Sequence, residues 1–286
     1  MNEHKIALLI DSGTDVPMEI VQEKQMFMLP LQIIYQNETY TDKIDITPRE
    51  VYDRFSEEIP KTSLPSGEVI HRVLDEIKAA GYKQVFAVTI SSGLSGTYNA
   101  VRLIGNQDPD LNVFVLDTKN IGIAAGLQAI RAAELIEEGI DFEDLIETMT
   151  KEVTANRVFF NVATLEYLQK GGRIGLVASL VGNMLKLNPT ISCNEDGIYY
   201  TVAKTRGRKK SIENMIQLTE KFIGEAKNYR LAIAQGDALE EGLWLKEEMT
   251  RRFPKAKKIL FGDISPALVV HTGPGLLGLG IQILPE

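Results

Sequence analysis

Five polar loops interrupt the apolar runs of this chain, and they hold most of the residues able to do chemistry. "SSGLSGT" (91–97) follows the apolar run "QVFAVTI" (84–90) and precedes a helical pattern. Gly93 and Gly96 let the backbone approach a ligand, and Ser95 or Thr97 can cap the helix. The free N–H groups of the first helical turn then favour negative charge. The loop reads either as a receptacle for an anion or as a capped tight turn. "TSLPS" (62–66) offers the hydroxyls of Thr62 and Ser63 ahead of a proline that stiffens the chain, with Ser66 placed to cap the next helix. "DSGTD" (11–15) ends the first apolar run, "GGR" (171–173) sets Arg173 behind two glycines, and "HTGPG" (271–275) sets His271 behind "ALVV". A phosphate-binding loop needs G-x-x-x-x-G-K-[ST] and a dinucleotide site needs G-x-G-x-x-G; neither follows a strand here. The nucleophile elbow G-x-S-x-G fails as well, because Thr97 stands where its second glycine belongs. Ser95, His271 and Asp11 are still the residue types of a serine hydrolase acting on acyl esters, although nothing in their spacing brings them together.

The elements that must position these loops alternate strand and helix through the first half. "KIALLI" (5–10), "QVFAVTI" (84–90) and "NVFVLDT" (112–118) read as buried strands. Helices are expected from Pro48, behind the capping box Thr47-x-x-Glu50, and over 67–80, 97–107 and 122–139. This rhythm implies a parallel sheet with helices packed on it. From about 158 the pattern changes: "RVFFNVAT" reads as a strand, "LEYLQKGGRIG" as a short helix stopped at Gly171, and "PTISCNEDGIYYTVAKTRG" as a hairpin turning at Asp196-Gly197. Helices over 211–227 and 239–252 flank the strand "YRLAIAQ", and "ALVVHTG" and "LGLGIQIL" close the chain as strands. The expected architecture is α/β in two lobes, residues 1–163 and 164–286, with a cleft between them.

Composition narrows the function classes. Hydrophobic residues make up 44% and charged ones 24%, as in ordinary globular proteins, and 286 residues suffice for two packed lobes. A net charge of −8 disfavours a nucleic-acid partner. The single cysteine, Cys193, excludes an intramolecular disulfide and a cysteine-rich metal site. The first residues lack the pattern of a signal peptide and no apolar stretch approaches the roughly 20 residues of a membrane span, so a cytoplasmic protein is expected.

Taken together the loops resemble the DegV family. The resemblance rests on "DSGTDVP" (11–17), "KTSLPS" (61–66), "ISSGLSGTYNA" (90–100), "VLDTKN" (115–120), "LEYLQKGGRIG" (165–175), "KTRGRKK" (204–210) and "VHTGPGLLG" (270–278), in the family's order along the whole chain. It implies a protein without catalytic residues or cofactor of its own that binds one long-chain fatty acid between two lobes. That protein presents the ligand to a fatty acid kinase, which makes an acyl phosphate for phospholipid synthesis. It further implies that Thr62 or Ser63, Ser95 and the amide of Gly96 hold the carboxylate, and that Arg173, Arg206 and His271 lie near the carboxyl end where phosphoryl transfer takes place. Leu64 stands where the family's "TSQPS" has glutamine.

Energetics fit such a ligand. Burying about fifteen methylene-like groups at roughly 0.8 kcal/mol each gives on the order of 10 kcal/mol before ordering costs. One hydrogen bond to a charged group is worth roughly 1.5–3 kcal/mol. The tail therefore supplies affinity and the hydroxyls fix orientation. Apolar residues of 122–130 and 176–187 are the expected tunnel walls.

Overall fold

The computed structural model describes residues 2–186 and 188–285, with side chains throughout except over 181–186. Strand β1 (Ile6–Asp11) is buried along its whole length and runs into a 3-10 turn at Ser12–Thr14. Helix α1 (Met18–Glu23) returns the chain to β2 (Phe27–Leu29), and β3 (Gln32–Ile34) with β4 (Thr39–Thr41) forms a small hairpin. Helix α2 (Pro48–Arg54) starts on the capping box: Thr47 Oγ1 accepts the Glu50 N–H, and the Glu50 carboxylate accepts the Thr47 N–H. β5 (Lys61–Ser63) pairs with β3, and α3 (Gly67–Ala79) follows, capped by Ser66. Then come β6 (Gln84–Thr89), α4 (Thr97–Gly105), β7 (Asn112–Asp117), α5 (Ile123–Glu137) and α6 (Phe142–Glu152).

Strands β2, β1, β6 and β7 form an all-parallel sheet in that order. Alternate residues of β1 enter different cores, as the pleat requires. Leu9 packs with Ile70, Leu74 and Val101 of α3 and α4. Leu8 and Ile10 pack with Ile130, Leu145 and Met149 of α5 and α6.

The second lobe is built on a six-stranded mixed sheet. Its elements are β8 (Asn156–Asn161), α7 (Glu166–Lys170), a 3-10 segment over Gly175–Lys186, β9 (Asn188–Cys193), β10 (Tyr199–Thr205) and α8 (Arg208–Ile223). They continue with β11 (Tyr229–Gly236), α9 (Leu239–Arg252), β12 (Ile259–Asp263), α10 (Pro266–Thr272) and β13 (Leu276–Ile283). Strand order is β10-β9-β8-β13-β11-β12, with only β11 and β12 parallel. One face carries α8 and α9 on Phe159, Leu231, Ile233 and Leu277. The other meets α5, of whose fifteen residues twelve are buried, so this helix lies between both sheets. Gly280 permits that approach, since a Cβ there would sit 3.2 Å from the Ala124 backbone. A bidentate pair, Arg230 with Glu134 at 2.6 and 2.9 Å, ties β11 to α5. Among the described residues no helix is long and apolar enough to cross a membrane.

The α/β class and the two sheets agree with the sequence reading; several details differ. β8 pairs with β13 and β9, so the lobe boundary falls between α6 and β8 and not at 163. "ALVVHTG" is the helix α10 and not a strand, started by Ser265-Pro266 and buried almost throughout. Helix α6 and strand β12 have no counterpart in the sequence reading. The cap of α4 is Gly96, in place of the expected Ser95 or Thr97.

Candidate functional site

Between the inner face of the six-stranded sheet, α10 and the small β3–β5 sheet lies a cavity with about 1050 Å³ of empty volume, its open mouth included. Its walls are mostly apolar: Leu31, Ile90, Ile121, Ile123, Val158 and Phe160 are among them. Thr62, Ser63, Ser95, Gly96, Arg173 and His271 all border it as well, which brings loops from both lobes to one place.

Strand β5 delivers Thr62 and α10 delivers His271, and Thr62 Oγ1 lies 2.6 Å from His271 Nε2. The ring fits because residue 171 is glycine; a Cβ there would overlap His271 Nδ1. Burial, and then the charge of Arg173, pull the imidazole pKa down to about 3, so the ring is neutral at physiological pH. A neutral imidazole carries one N–H. Placed on Nε2 it donates to Thr62, and the Thr62 hydroxyl proton is then free for an anion in the cavity. An anion beside Thr62 selects that tautomer. Ser63 is different: its hydroxyl donates to the Leu64 carbonyl at 3.2 Å.

The 91–96 loop is fastened from several sides. Asp117, at the end of β7, accepts the Ser92 N–H at 3.0 Å; burial works against its ionisation, but its bonds to Lys119 and Ser92 win and hold its pKa below the usual carboxylate range. Ser91 Oγ accepts the Gly93 N–H at 3.0 Å and donates to the Gly197 carbonyl at 2.8 Å, in the turn of the β9–β10 hairpin. Gly197 has φ +76, and a Cβ there would collide with Ser91 Oγ, so glycine is needed twice over. Ser95 Oγ lies 2.9 Å from Thr97 Oγ1 and accepts the Thr97 N–H at 3.3 Å. Arg173 crosses the lobe boundary, donating to the Leu94 carbonyl at 3.3 Å and the Gly171 carbonyl at 2.9 Å.

Arg206 is not with them. It is exposed, outside the cavity lining, just past the end of β10 where Thr205 pairs with Asn188. Tyr199, which does border the cavity, lies at the other end of that strand, about 20 Å away at 3.3 Å per residue. Arg206 is thus an exposed residue beyond the cavity wall and not one of its lining residues. The expected tunnel walls also need correction. Gly122 and Ile123 border the cavity, whereas Ala124, Ala125 and Leu127 are core between the sheets. Of 176–187, Val177 and Leu180 are core and Leu176 is exposed; the side chains of 181–186, and Leu187, lie outside the described residues. Asp117, Gly171 and Gly197 are further residues that hold the site; each lies in a stretch whose type is plain from sequence, but their partners Ser92, His271 and Ser91 are distant in the chain.

No serine hydrolase triad assembles from these atoms. His271 Nε2 faces Thr62, Ser95 is engaged by Thr97, and His271 Nδ1 has no partner. Asp11 accepts the Ile90 N–H at 2.9 Å and orients no imidazole. An imidazole that protonates only near pH 3 is also a feeble base.

Fold and site define a two-lobed α/β protein with an apolar chamber whose polar residues gather on loops of both lobes. Residues 5–284 match the family model described as "Uncharacterised protein, DegV family". A DegV domain-containing protein from Clostridium acetobutylicum is 39% identical over 277 residues, spanning 97% of this chain and 98% of its own. The chain belongs to the DegV family. Among solved structures, a DegV family protein from Thermus thermophilus, described by its fatty acid binding, superposes with a TM-score of 0.92 at 29% identity, covering 99% of this chain and 100% of its own. A stearic acid-binding protein from Eubacterium ventriosum gives 0.87 at 28% identity, covering 97% and 98%.

Proposed function

We propose that this protein binds one long-chain fatty acid in the cavity, the tail against its apolar walls and the carboxylate at Thr62, Ser95 and the Gly96 amide. The observation that carries this reading is a chamber with mostly apolar walls whose lining also includes the hydroxyls of Thr62 and Ser95, brought from two separate segments. The fatty acid binding described for the Thermus and Eubacterium relatives supports it.

The loaded protein presents the carboxylate to a fatty acid kinase, which supplies the nucleotide. A buried arginine clamp would stabilise the carboxylate and blunt its attack on a phosphoryl group. Neutral hydroxyls hold it without that cost, while Arg173 at the lobe boundary offers positive charge to the incoming phosphate. The neutral His271 fits this division, since it orients Thr62 and adds no charge beside the carboxylate. Extracting lipid from freshly purified protein and weighing it by mass spectrometry tests the reading. One equivalent of intact fatty acid is expected, with no turnover of a chromogenic ester. Protein free of lipid that hydrolyses the ester would overturn it.

A further inference from the structure

Helix α10 belongs to the C-terminal lobe, yet its start is held by carboxylates of the other one. Asp15 Oδ1 accepts the Ser265 N–H at 3.0 Å, and Asp42 Oδ1 accepts the Ala267 N–H at 2.9 Å. Ser265 occupies the N-cap position, but its own hydroxyl makes no cap bond, and Pro266 has no N–H to offer. A helix normally draws this cap from its own flanking residue. Here the acceptors come from more than two hundred residues away. Both acids are buried, at 6% and 0% exposure, and Lys43 stands 3.5 Å from Asp15. Carboxylates removed from water are costly unless their bonds are kept, so the arrangement is stable only while the lobes stay together. Six residues along α10 from Ser265, about 9 Å at 1.5 Å per residue, His271 meets Thr62. One helix thus carries three hydrogen bonds across the lobe boundary, and Leu268, His271 and Thr272 on it border the cavity.

We infer that Asp15 and Asp42 are positioning residues for the ligand's head: by capping α10 from the opposite lobe they seat His271 on Thr62, making lobe closure and readiness of the carboxylate niche one event. This rests on the fatty acid reading of the cavity.

The test uses the full chain, stripped of lipid, with stearate as probe and a fluorescent fatty acid as competitor. Asp42→Asn keeps a side-chain oxygen for the Ala267 N–H, whereas Asp42→Ala removes it. Stearate affinity is expected within threefold of wild type for Asp42→Asn and at least tenfold weaker for Asp42→Ala, with far-ultraviolet circular dichroism unchanged. In the wild-type chain, stearate is also expected to raise amide-exchange protection over 264–272, a measurement that stands even if Asp42→Ala fails to fold. Wild-type affinity in Asp42→Ala, equal loss in both variants, or exchange over 264–272 indifferent to stearate would each overturn the inference. Failure of the wild type to bind stearate would instead remove the fatty acid reading, and this inference with it.

Discussion

Thr62 and His271 meet at 2.6 Å although 209 residues separate them in sequence. Each belongs to a stretch whose sequence is polar and unusual, but no spacing rule joins them; only the folding of α10 against β5 does. Gly171 illustrates the same limit, because its need to be glycine comes from an imidazole a hundred residues away. At this scale the energetic roles can be separated. Thr62→Val removes one hydrogen bond to a charged head, roughly 1.5–3 kcal/mol, and is expected to weaken stearate binding about ten- to a hundredfold. A ligand four methylenes shorter forfeits about 3 kcal/mol of burial and should lose affinity by at least as much in the wild type. Calorimetric titration of both combinations checks this. A Thr62→Val protein that binds no stearate would put the affinity in the head and contradict the account.

Elements were legible in the sequence where their signals are local. The capping box at Thr47 and Glu50, the Ser66 cap and the Asp196-Gly197 turn lie within a few residues of the structure they specify, and all three are present. Helix α10 shows where local reading stops. "ALVV" is short, half β-branched and buried throughout, so its periodicity cannot separate helix from strand. The discriminating signal was Ser265-Pro266, a start marker for a helix whose caps come from the other lobe. Helix α6 was marked as well, by Asp141 as cap and Phe142, Leu145 and Met149 on one buried stripe. β12 is only half-buried and has the weaker pattern of an edge strand.

On the scale of the whole molecule, the lobes share buried acids as well as the cavity. Asp11 closes β1 beside Asp15 and Asp42; burial first, and then the charges of those two, raise its pKa to about 7 against the pull of the Ile90 and Gly13 amides. Burial likewise raises Asp15 to about 6. A carboxyl with a folded pKa above its unfolded one binds more protons when folded. Its stabilising contribution is complete below about pH 4 and disappears as pH rises towards 7. Asp11→Asn removes that dependence. Across pH 4 to 8 its melting temperature should therefore shift progressively in its favour relative to wild type, whatever the offset at pH 4; a constant difference would contradict the assignment. The two-lobe plan was visible from the change of rhythm near 158. Its boundary was not, because β8 looks like any buried strand until its partners β9 and β13 are known.

The most direct measurement is the crystal structure of the protein with stearate bound. It should show one chain in the cavity between α10 and the six-stranded sheet, its carboxylate within hydrogen-bond reach of Thr62 and of Ser95 or the Gly96 amide. A carboxylate at the opposite end of the chamber, or stearate lodged elsewhere with the cavity collapsed, would contradict it.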